Sequence, residues 1–142
     1  MYVRELEVRY KELTEKLVQI SSPQAVYDVM KEDVKGLAQE KFWVLGVNYK
    51  NQIHLKQLIS VGTVNESIIH PREVFKGMVV ANASAIILVH NHPSGMLEPS
   101  NDDIKVTERL IEAGVLMGIL VLDHVIVSDT GFLSLKEKGY IK

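Results

Sequence analysis

The chain has 142 residues, of which 46% are apolar, and this is enough for one domain with a full core. Its 16 Lys and Arg against 18 Asp and Glu give a formal net charge of -2 without a basic stripe, which argues against a nucleic-acid partner. The absence of cysteine excludes disulfides and thiolate zinc sites, and the absence of an apolar signal core or membrane-spanning run predicts a cytoplasmic protein with no membrane partner.

Hydrophobic periodicity predicts both strands and a helix in the first part of the chain. Apolar and charged residues alternate over residues 5–11, which predicts a half-buried first strand. Ser22 and Pro23 are typical of a helix cap and first helical position, and residues 42–47 and 52–60 are predicted to form two strands joined by a turn. The apolar face of the predicted helix consists of Val26, Met30, Val34 and Leu37.

The second part of the chain continues the alternation. A second helix is predicted over residues 71–82, followed by a central strand over 85–90 and a third helix over 101–117. A long apolar strand is predicted over 119–127. Residues 134–137 resemble a short capped helix.

Helices between strands predict an α/β fold with the sheet in the middle, a three-layer α/β/α arrangement. The predicted hairpin makes this a mixed β-sheet flanked by helices. The nearly uninterrupted apolar runs at residues 85–89 and 119–122 predict strands that are covered on both faces.

Two imidazoles, of His90 and His92, stand at the end of the predicted central strand. Because side chains on a strand alternate between its faces, both point to one side and can reach one ion. Catalytic zinc takes three ligands of the His, Asp or Glu type and keeps a fourth position for water. Asp103 completes such a set for one zinc ion, with Asp102 as the competing carboxylate. A single histidine here is more often a hydrogen-bonded polar residue, but two on one face favour a metal site.

The segment after the histidines can also be explained without a metal. Ser100 and Asp103 have a spacing that resembles a helix capping box, with Pro99 ahead of them. Residues 93–95, Pro-Ser-Gly, are typical of a turn. The two roles are compatible, because the first turn of a helix holds its side chains in place and can direct Asp103 at the ion.

The whole constellation resembles a known motif. His-x-His, seven residues, Ser, two residues and Asp, with an acidic residue well upstream, resembles the JAMM motif of the MPN (Jab1/MPN-type) metalloprotease superfamily. The string His-Asn-His-Pro-Ser-Gly at residues 90–95 narrows the resemblance to the RadC family, together with residues 71–75, 99–103, 123–124 and Ser134.

This resemblance covers residues 23–142 and predicts a single RadC-like JAMM/MPN domain over residues 1–142. Longer RadC-like proteins carry an N-terminal helix-hairpin-helix-like segment, whereas only about twenty residues precede the first predicted helix here, so DNA contact through such a segment is not expected. The implied architecture is a β-sheet core with flanking helices, related in layout to the cytidine deaminases. A deaminase itself is not expected, because its signature requires cysteines.

The resemblance also implies a glutamate upstream of the histidines that acts as general base on a metal-activated water. We assign this role to Glu40, between the predicted first helix and the strand 42–47, where JAMM proteins carry theirs; Glu66 and Glu73 are the alternatives. Without the resemblance, Glu40 would be interpreted as a solvated residue near a helix end. Ser100 is implied to help hold the oxyanion of the reaction.

Asp123 and His124 form a polar pair within the last long predicted strand. The simpler interpretation is a hydrogen-bonded pair near the end of the sheet. The alternative is a partner that orients a metal-binding imidazole.

Together these residues predict a zinc-dependent hydrolase that cleaves a peptide or isopeptide bond of a substrate that the sequence does not define. One alternative is a catalytically silent MPN-type binding module, because a fold does not dictate a function. The other is a DNA-repair-associated RadC-like protein, which the family name suggests and the charge balance does not support.

Overall fold

The computed structural model describes residues 1–13 and 16–142. Within this part of the chain, three helices alternate with strands of a single six-stranded sheet. None of the described helices combines the length and apolar character needed to span a membrane. The elements in chain order are β1 Val18–Gln19, α1 Pro23–Val34, β2 Lys41–Val47, β3 Gln52–Val61, α2 Pro71–Val80, β4 Ala85–Asn91, α3 Asn101–Met117, β5 Leu120–Val127 and β6 Phe132–Ser134.

The sheet has the strand order β1-β3-β2-β4-β5-β6. Strands β4 and β5 are parallel, and the other neighbouring pairs are antiparallel. The parallel pair is joined by α3, as expected for a crossover between parallel strands. The prediction of a mixed sheet flanked by helices is therefore confirmed, and so are the positions of the three predicted helices and of the strands β2 to β5.

Two apolar cores form on the two faces of the sheet. On one face, Ile86 and Leu88 of β4 pack in a cluster with residues of α2 and α3. On the other face, Ile87 and Val89 of the same strand pack in a cluster with residues of α1. Successive residues of β4 thus serve opposite cores, which explains why the run is almost entirely apolar.

This alternation fixes where the polar end of β4 points. His90 follows Ile86 and Leu88 at intervals of two, so its side chain lies on the face that α3 covers. Coverage is less complete on β5, where Leu120, directly after the turn that ends α3, remains 57% exposed. The prediction that residues 119–122 are covered on both faces is therefore wrong for that residue.

Residues 5–11 do not form the predicted strand. They have no regular secondary structure, and Leu6 and Val8 are 81% and 47% exposed. Alternation of apolar and charged residues is compatible with a strand, but a strand also needs a hydrogen-bonded neighbour. In the described sheet, the outer edge of β3 is instead paired by Val18 and Gln19.

Residues 134–137 do not form the predicted short helix. Ser134 ends β6, and the chain then makes a turn that contains Gly139 at a φ of 82°. The hydroxyl oxygen of Ser134 accepts a hydrogen bond from the Glu137 amide at 3.0 Å, as a helix cap would. The local capping signal is thus real, but it closes a turn rather than starting a helix.

The end of α3 generates a stability prediction at Gly114. The helix ends at Gly118 in the left-handed conformation, and the Ile119 amide then donates to the Gly114 carbonyl at 2.9 Å. A β-carbon at Gly114 would collide with the carbonyl oxygen of Ile119. Although alanine normally favours a helix, we expect Gly114→Ala to lower the free energy of unfolding by about 1–3 kcal/mol, measured by urea denaturation.

The control for this prediction is Leu116→Ala on the same helical turn, where the side chain is 88% exposed. We expect this variant to stay within about 0.5 kcal/mol of the parent protein. A Gly114→Ala variant as stable as the parent would show that the chain reversal relaxes around the added methyl group.

Candidate metal centre

His90 and His92 bring their imidazoles together at the end of β4. His90 is fully buried, and the His92 amide continues the pairing with β5 by donating to the Val127 carbonyl at 3.0 Å. The two Nε2 atoms lie 2.9 Å apart. The two histidine side chains therefore converge on one point, as their spacing on a strand predicts.

Asp103 approaches the same point from the first turn of α3. Its Oδ1 lies 3.3 Å from His90 Nε2, and its Oδ2 lies 3.2 Å from His92 Nε2. The carboxylate is held there by the predicted capping box, in which the Ser100 amide donates to Asp103 Oδ2 at 2.8 Å and the Asp103 amide donates to Ser100 Oγ at 3.0 Å. Asp102 is exposed, so of the two candidate carboxylates Asp103 is the one that meets the imidazoles.

Glu40 enters from the other side, immediately before β2. Its Oε1 lies 3.9 Å from His92 Nε2, and a carboxylate oxygen of Glu40 lies within 4.8 Å of ring nitrogens of both His90 and His92. The alternatives lie elsewhere: Glu73 pairs with Lys76 at 2.9 Å on α2, and Glu66 is exposed. Of the three glutamates considered from the sequence, only Glu40 faces the histidines.

Asn91 holds the backbone on both sides of Glu40. Its Oδ1 accepts from the Lys41 amide at 2.6 Å, and its Nδ2 donates to the Gln39 carbonyl at 2.9 Å. The Gly62 amide donates to the Glu40 carbonyl at 2.7 Å. The residue between the two histidines thus fixes the segment that carries the glutamate, a role that the sequence pattern did not reveal.

The spacing of these atoms fits a metal ion. Four-coordinate zinc with bonds of about 2.0–2.1 Å places its ligand atoms about 3.3 Å apart. The distances among His90 Nε2, His92 Nε2 and the nearest oxygens of Asp103 are 2.9, 3.2 and 3.3 Å. The group formed by His90, His92 and Glu40 can also hold an ion, so two imidazoles and two carboxylates surround one position.

The hydrogen bonding of His92 leaves a lone pair for this position. Its Nδ1 lies 2.6 Å from the Met96 carbonyl oxygen, which can only accept, so Nδ1 carries a hydrogen. In the neutral ring, Nε2 then presents its lone pair to the carboxylates and to His90. Such a cluster of acceptors needs a cation between its members.

Charge in the cluster shifts two pKa values. Burial acts to lower the pKa of the His92 imidazole, but hydrogen bonds to Asp103 and the Met96 carbonyl, with the charges of Asp103 and Glu40, raise it overall. Burial acts to raise the pKa of the Asp103 carboxyl, but hydrogen bonds from His90 and His92 hold it well below its usual range. Without a metal, a proton on the His92 imidazole is therefore stabilised by the ionised Asp103.

A cavity of about 570 Å³ opens onto the cluster. Its lining includes Glu40 and His92, together with Thr63, Ser94 and Glu98. The side chains of Glu40 and His92 remain 28% and 13% exposed, whereas that of His90 is fully covered. The glutamate is thus the charged group of the cluster that a molecule in the cavity meets first.

His124 is the largest departure from the simpler sequence interpretation. It is fully buried, and its Nε2 lies 2.6 Å from His90 Nδ1 while its Nδ1 lies 2.6 Å from Thr107 Oγ1. Burial lowers its pKa well below the usual range, so the ring is neutral. Asp123 fits the simpler interpretation of a hydrogen-bonded residue near the end of the sheet. Its carboxylate accepts hydrogen bonds from the Ser134 hydroxyl at 2.5 Å and from the backbone amides of His124 and Lys136. The available signal was one histidine within an apolar strand, and nothing in the sequence indicated Thr107.

Comparison with known proteins agrees with the motif. Residues 20–140 match the family model described as "RadC-like JAB domain". A UPF0758 protein of Caldanaerobacter subterraneus subsp. tengcongensis is 52% identical over 121 residues, which cover 85% of this chain and 52% of the relative. A UPF0758 protein of Staphylococcus haemolyticus is 48% identical over 140 residues, covering 99% and 58%. The chain spans about half the length of the curated relatives it matches.

The two shifted pKa values predict how His92 contributes to stability in the metal-free protein. A raised His92 pKa stabilises the fold below the ordinary value of 6.5, and this contribution is lost as the pH rises through the folded-state pKa. A lowered Asp103 pKa stabilises the fold above the ordinary value of 3.8. The contribution of the pair should therefore be largest between these two values.

We test this with the difference in free energy of unfolding between the parent protein and His92→Gln, both in EDTA, measured by urea denaturation. The difference should shrink from about pH 5.5 to about pH 8.5. Taking a difference cancels the contribution of His54, whose lowered pKa acts in the opposite sense and arises from burial alone. A difference that grows with pH would contradict the assigned direction for His92.

Proposed function

The chain belongs to the family of RadC-like JAB domains, and on that premise we propose that it is a zinc-dependent hydrolase of a peptide or isopeptide bond. The observation that carries the proposal is the convergence of His90 Nε2, His92 Nε2 and the Asp103 carboxylate, with the Glu40 carboxylate beside them. Three ligands and one nearby carboxylate are what a metal-dependent hydrolase requires.

The distances favour a division of labour between the two carboxylates. Asp103 lies 3.2–3.3 Å from the imidazole nitrogens and is nearly fully buried, which suits a ligand. Glu40 lies farther away, 3.9 Å from His92, and borders the cavity, which suits a group that handles water and substrate. We therefore assign His90, His92 and Asp103 as ligands and Glu40 as general base. The chain has no cysteine, so these nitrogen and oxygen donors suit zinc without competing thiolates.

When bound there, zinc would supply Lewis-acid chemistry: it acidifies a water molecule and polarises a substrate carbonyl. Glu40 would take the proton from that water and later deliver it to the leaving nitrogen of the amide. The hydrogen bonds of Asn91 to the backbone on both sides of Glu40 would keep the glutamate in place during both proton transfers. A base fixed in this way does not have to be ordered again in each cycle.

We assign to Ser100 the stabilisation of the oxyanion. Its oxygen accepts from the Asp103 amide, which leaves the hydroxyl hydrogen free to donate, and the residue is exposed beside the cluster. A donor directed at the developing negative charge contributes on the order of 3 kcal/mol to the transition state.

The charge of the cavity favours an amide over a phosphodiester as the substrate. The charged side chains in its described lining are the carboxylates Glu40 and Glu98, and no lysine or arginine is among the lining residues. Nucleic-acid sites normally neutralise phosphates with basic side chains. A neutral or cationic segment of polypeptide meets no repulsion here.

The metal assignment predicts that zinc binding depends on the two histidines. Protein purified without added zinc and then titrated with it should bind one ion, whereas the His90→Ala, His92→Ala double variant should bind none, measured by calorimetry and elemental analysis. The matched control is His70→Ala, because His70 is exposed at the start of α2. Equal zinc content in the double variant and the control would refute the site.

The base assignment predicts a different outcome for Glu40→Gln. This variant should keep its zinc and lose at least about 100-fold in hydrolysis, because the amide cannot accept a proton from water. Hydrolysis is measured on fluorogenic peptides and on lysine-linked isopeptides, with Glu66→Gln as control. Activity that survives in Glu40→Gln but is abolished in Glu66→Gln or Glu73→Gln would transfer the role of base. A zinc-loaded parent protein that cleaves none of these amides would favour a catalytically silent binding module.

A further inference from the structure

A chain of buried hydrogen bonds lies behind the metal-facing side of His90. His90 Nδ1 lies 2.6 Å from His124 Nε2, and His124 Nδ1 lies 2.6 Å from Thr107 Oγ1. The Thr107 hydroxyl in turn donates to the Asp103 carbonyl at 2.6 Å. His90, Thr107 and His124 are all fully buried, so no solvent competes for these bonds.

The donor and the acceptor in each of these hydrogen bonds follow from the final acceptor, the Asp103 carbonyl oxygen. The Asp103 carbonyl oxygen has no hydrogen, so the single hydrogen of the Thr107 hydroxyl must point to it. The Thr107 oxygen can then only accept from His124, which places the hydrogen of His124 on Nδ1. A neutral His124 presents a lone pair at Nε2, and this lone pair accepts the hydrogen of His90 Nδ1.

The surroundings of His124 favour its neutral form. Its two ring nitrogens meet a hydroxyl group and another imidazole, neither of which is a carboxylate. A charged imidazole in such a buried place would lack the ion pair that burial of a charge requires. The Phe42 ring adds an apolar wall, since it stacks on His90 at 6.1 Å and contacts His124 edge-on at 5.7 Å.

We infer that Thr107 and His124 are positioning residues that fix the tautomer of His90, with its hydrogen on Nδ1 and its lone pair on the Nε2 that faces Asp103 and His92. This inference rests on the proposed function, because it takes His90 as a metal ligand. Thr107 lies one helical turn after Asp103 on α3. One helix therefore supplies a ligand with its first turn and sets the tautomer of another ligand with its second.

The test compares Thr107→Val with Thr107→Ser. Serine keeps the hydroxyl, whereas valine has nearly the shape of threonine and removes it. With valine, His124 Nδ1–H has no acceptor, so the ring shifts its hydrogen to Nε2 and donates to His90 Nδ1. The His90 hydrogen then moves to Nε2, where a metal would have to displace it.

The first readout is the His90 tautomer in the metal-free protein, from ¹⁵N chemical shifts of the imidazoles at about pH 9, well above the ordinary pKa of a histidine side chain. We expect hydrogen on Nδ1 in the parent protein and in Thr107→Ser, and hydrogen on Nε2 in Thr107→Val. A shared tautomer in the two variants overturns the inference, whatever their zinc affinities. Near-equal thermal unfolding midpoints of the parent protein and the two variants would show that the variants are folded, so that a change of tautomer is not caused by unfolding.

The second readout is zinc affinity, measured by competition with a chromogenic chelator. The zinc affinity of Thr107→Ser should stay within about twofold of the parent, and Thr107→Val should bind zinc about tenfold more weakly. Tenfold is the low end of the losses in metal affinity seen when a residue that hydrogen-bonds to a metal ligand is replaced. Equal affinity of the two variants overturns the inference. At His124, a Gln side chain can still accept from His90 Nδ1, so His124→Gln should bind zinc more tightly than His124→Leu; the reverse order counts against it.

These readouts separate the inference from the proposed function. A parent protein that binds no zinc refutes the proposed metal site, while the tautomers of the two Thr107 variants still decide the inference. If the parent protein and both Thr107 variants bind zinc with equal affinity, the proposed metal site stands and the role inferred for Thr107 is refuted.

Discussion

The carboxylate of Asp103 is the interaction on which the rest of the site depends. The same side chain closes the capping box at the start of α3 and lies within 3.3 Å of both imidazoles. A nearly fully buried carboxylate needs strong partners, and it has them on both sides. Because the cap fixes where α3 begins, it also fixes where Thr107, one turn later, meets His124. The helix start is therefore part of the chemistry as well as of the fold.

Three consecutive side chains at the end of β4 serve two tasks. His90 and His92 turn toward α3, because residues two apart share a face. Asn91, between them, reaches the backbone on both sides of Glu40 and is itself nearly fully buried. Both imidazoles and the segment that carries the glutamate are thus held by one strand that is covered on both faces, and their relative position is as rigid as the core around it.

What could be predicted from the sequence depended on how local the determining interaction is. The helix over 101–117 was predicted with its observed bounds, because its cap and its periodicity are both written within one segment. Glu40 lies 3.9 Å from His92, some fifty residues away along the chain, so only the family resemblance indicated it. The strand predicted over 5–11 failed because alternation cannot supply a partner strand. Thr107 left no sequence signal, since a buried threonine in a helix usually bonds only to its own backbone.

The arrangement of acceptors explains why this fold is poised for a cation. The two imidazole nitrogens lie 2.9 Å apart and 3.2–3.3 Å from the Asp103 carboxylate, and Glu40 lies 3.9 Å from His92. Without a cation these lone pairs and negative charges repel one another. A proton relieves part of that repulsion, which is why the His92 pKa is raised. A proton and a metal then compete for the same nitrogens, so metal affinity has to rise as the pH rises through that pKa. The hydrogen-bond chain behind His90 acts on the same balance. It keeps the hydrogen of neutral His90 on Nδ1, so that this hydrogen does not compete with a metal for Nε2. The protein would thus favour the metal by controlling where hydrogens can be placed, more than by adding further ligands.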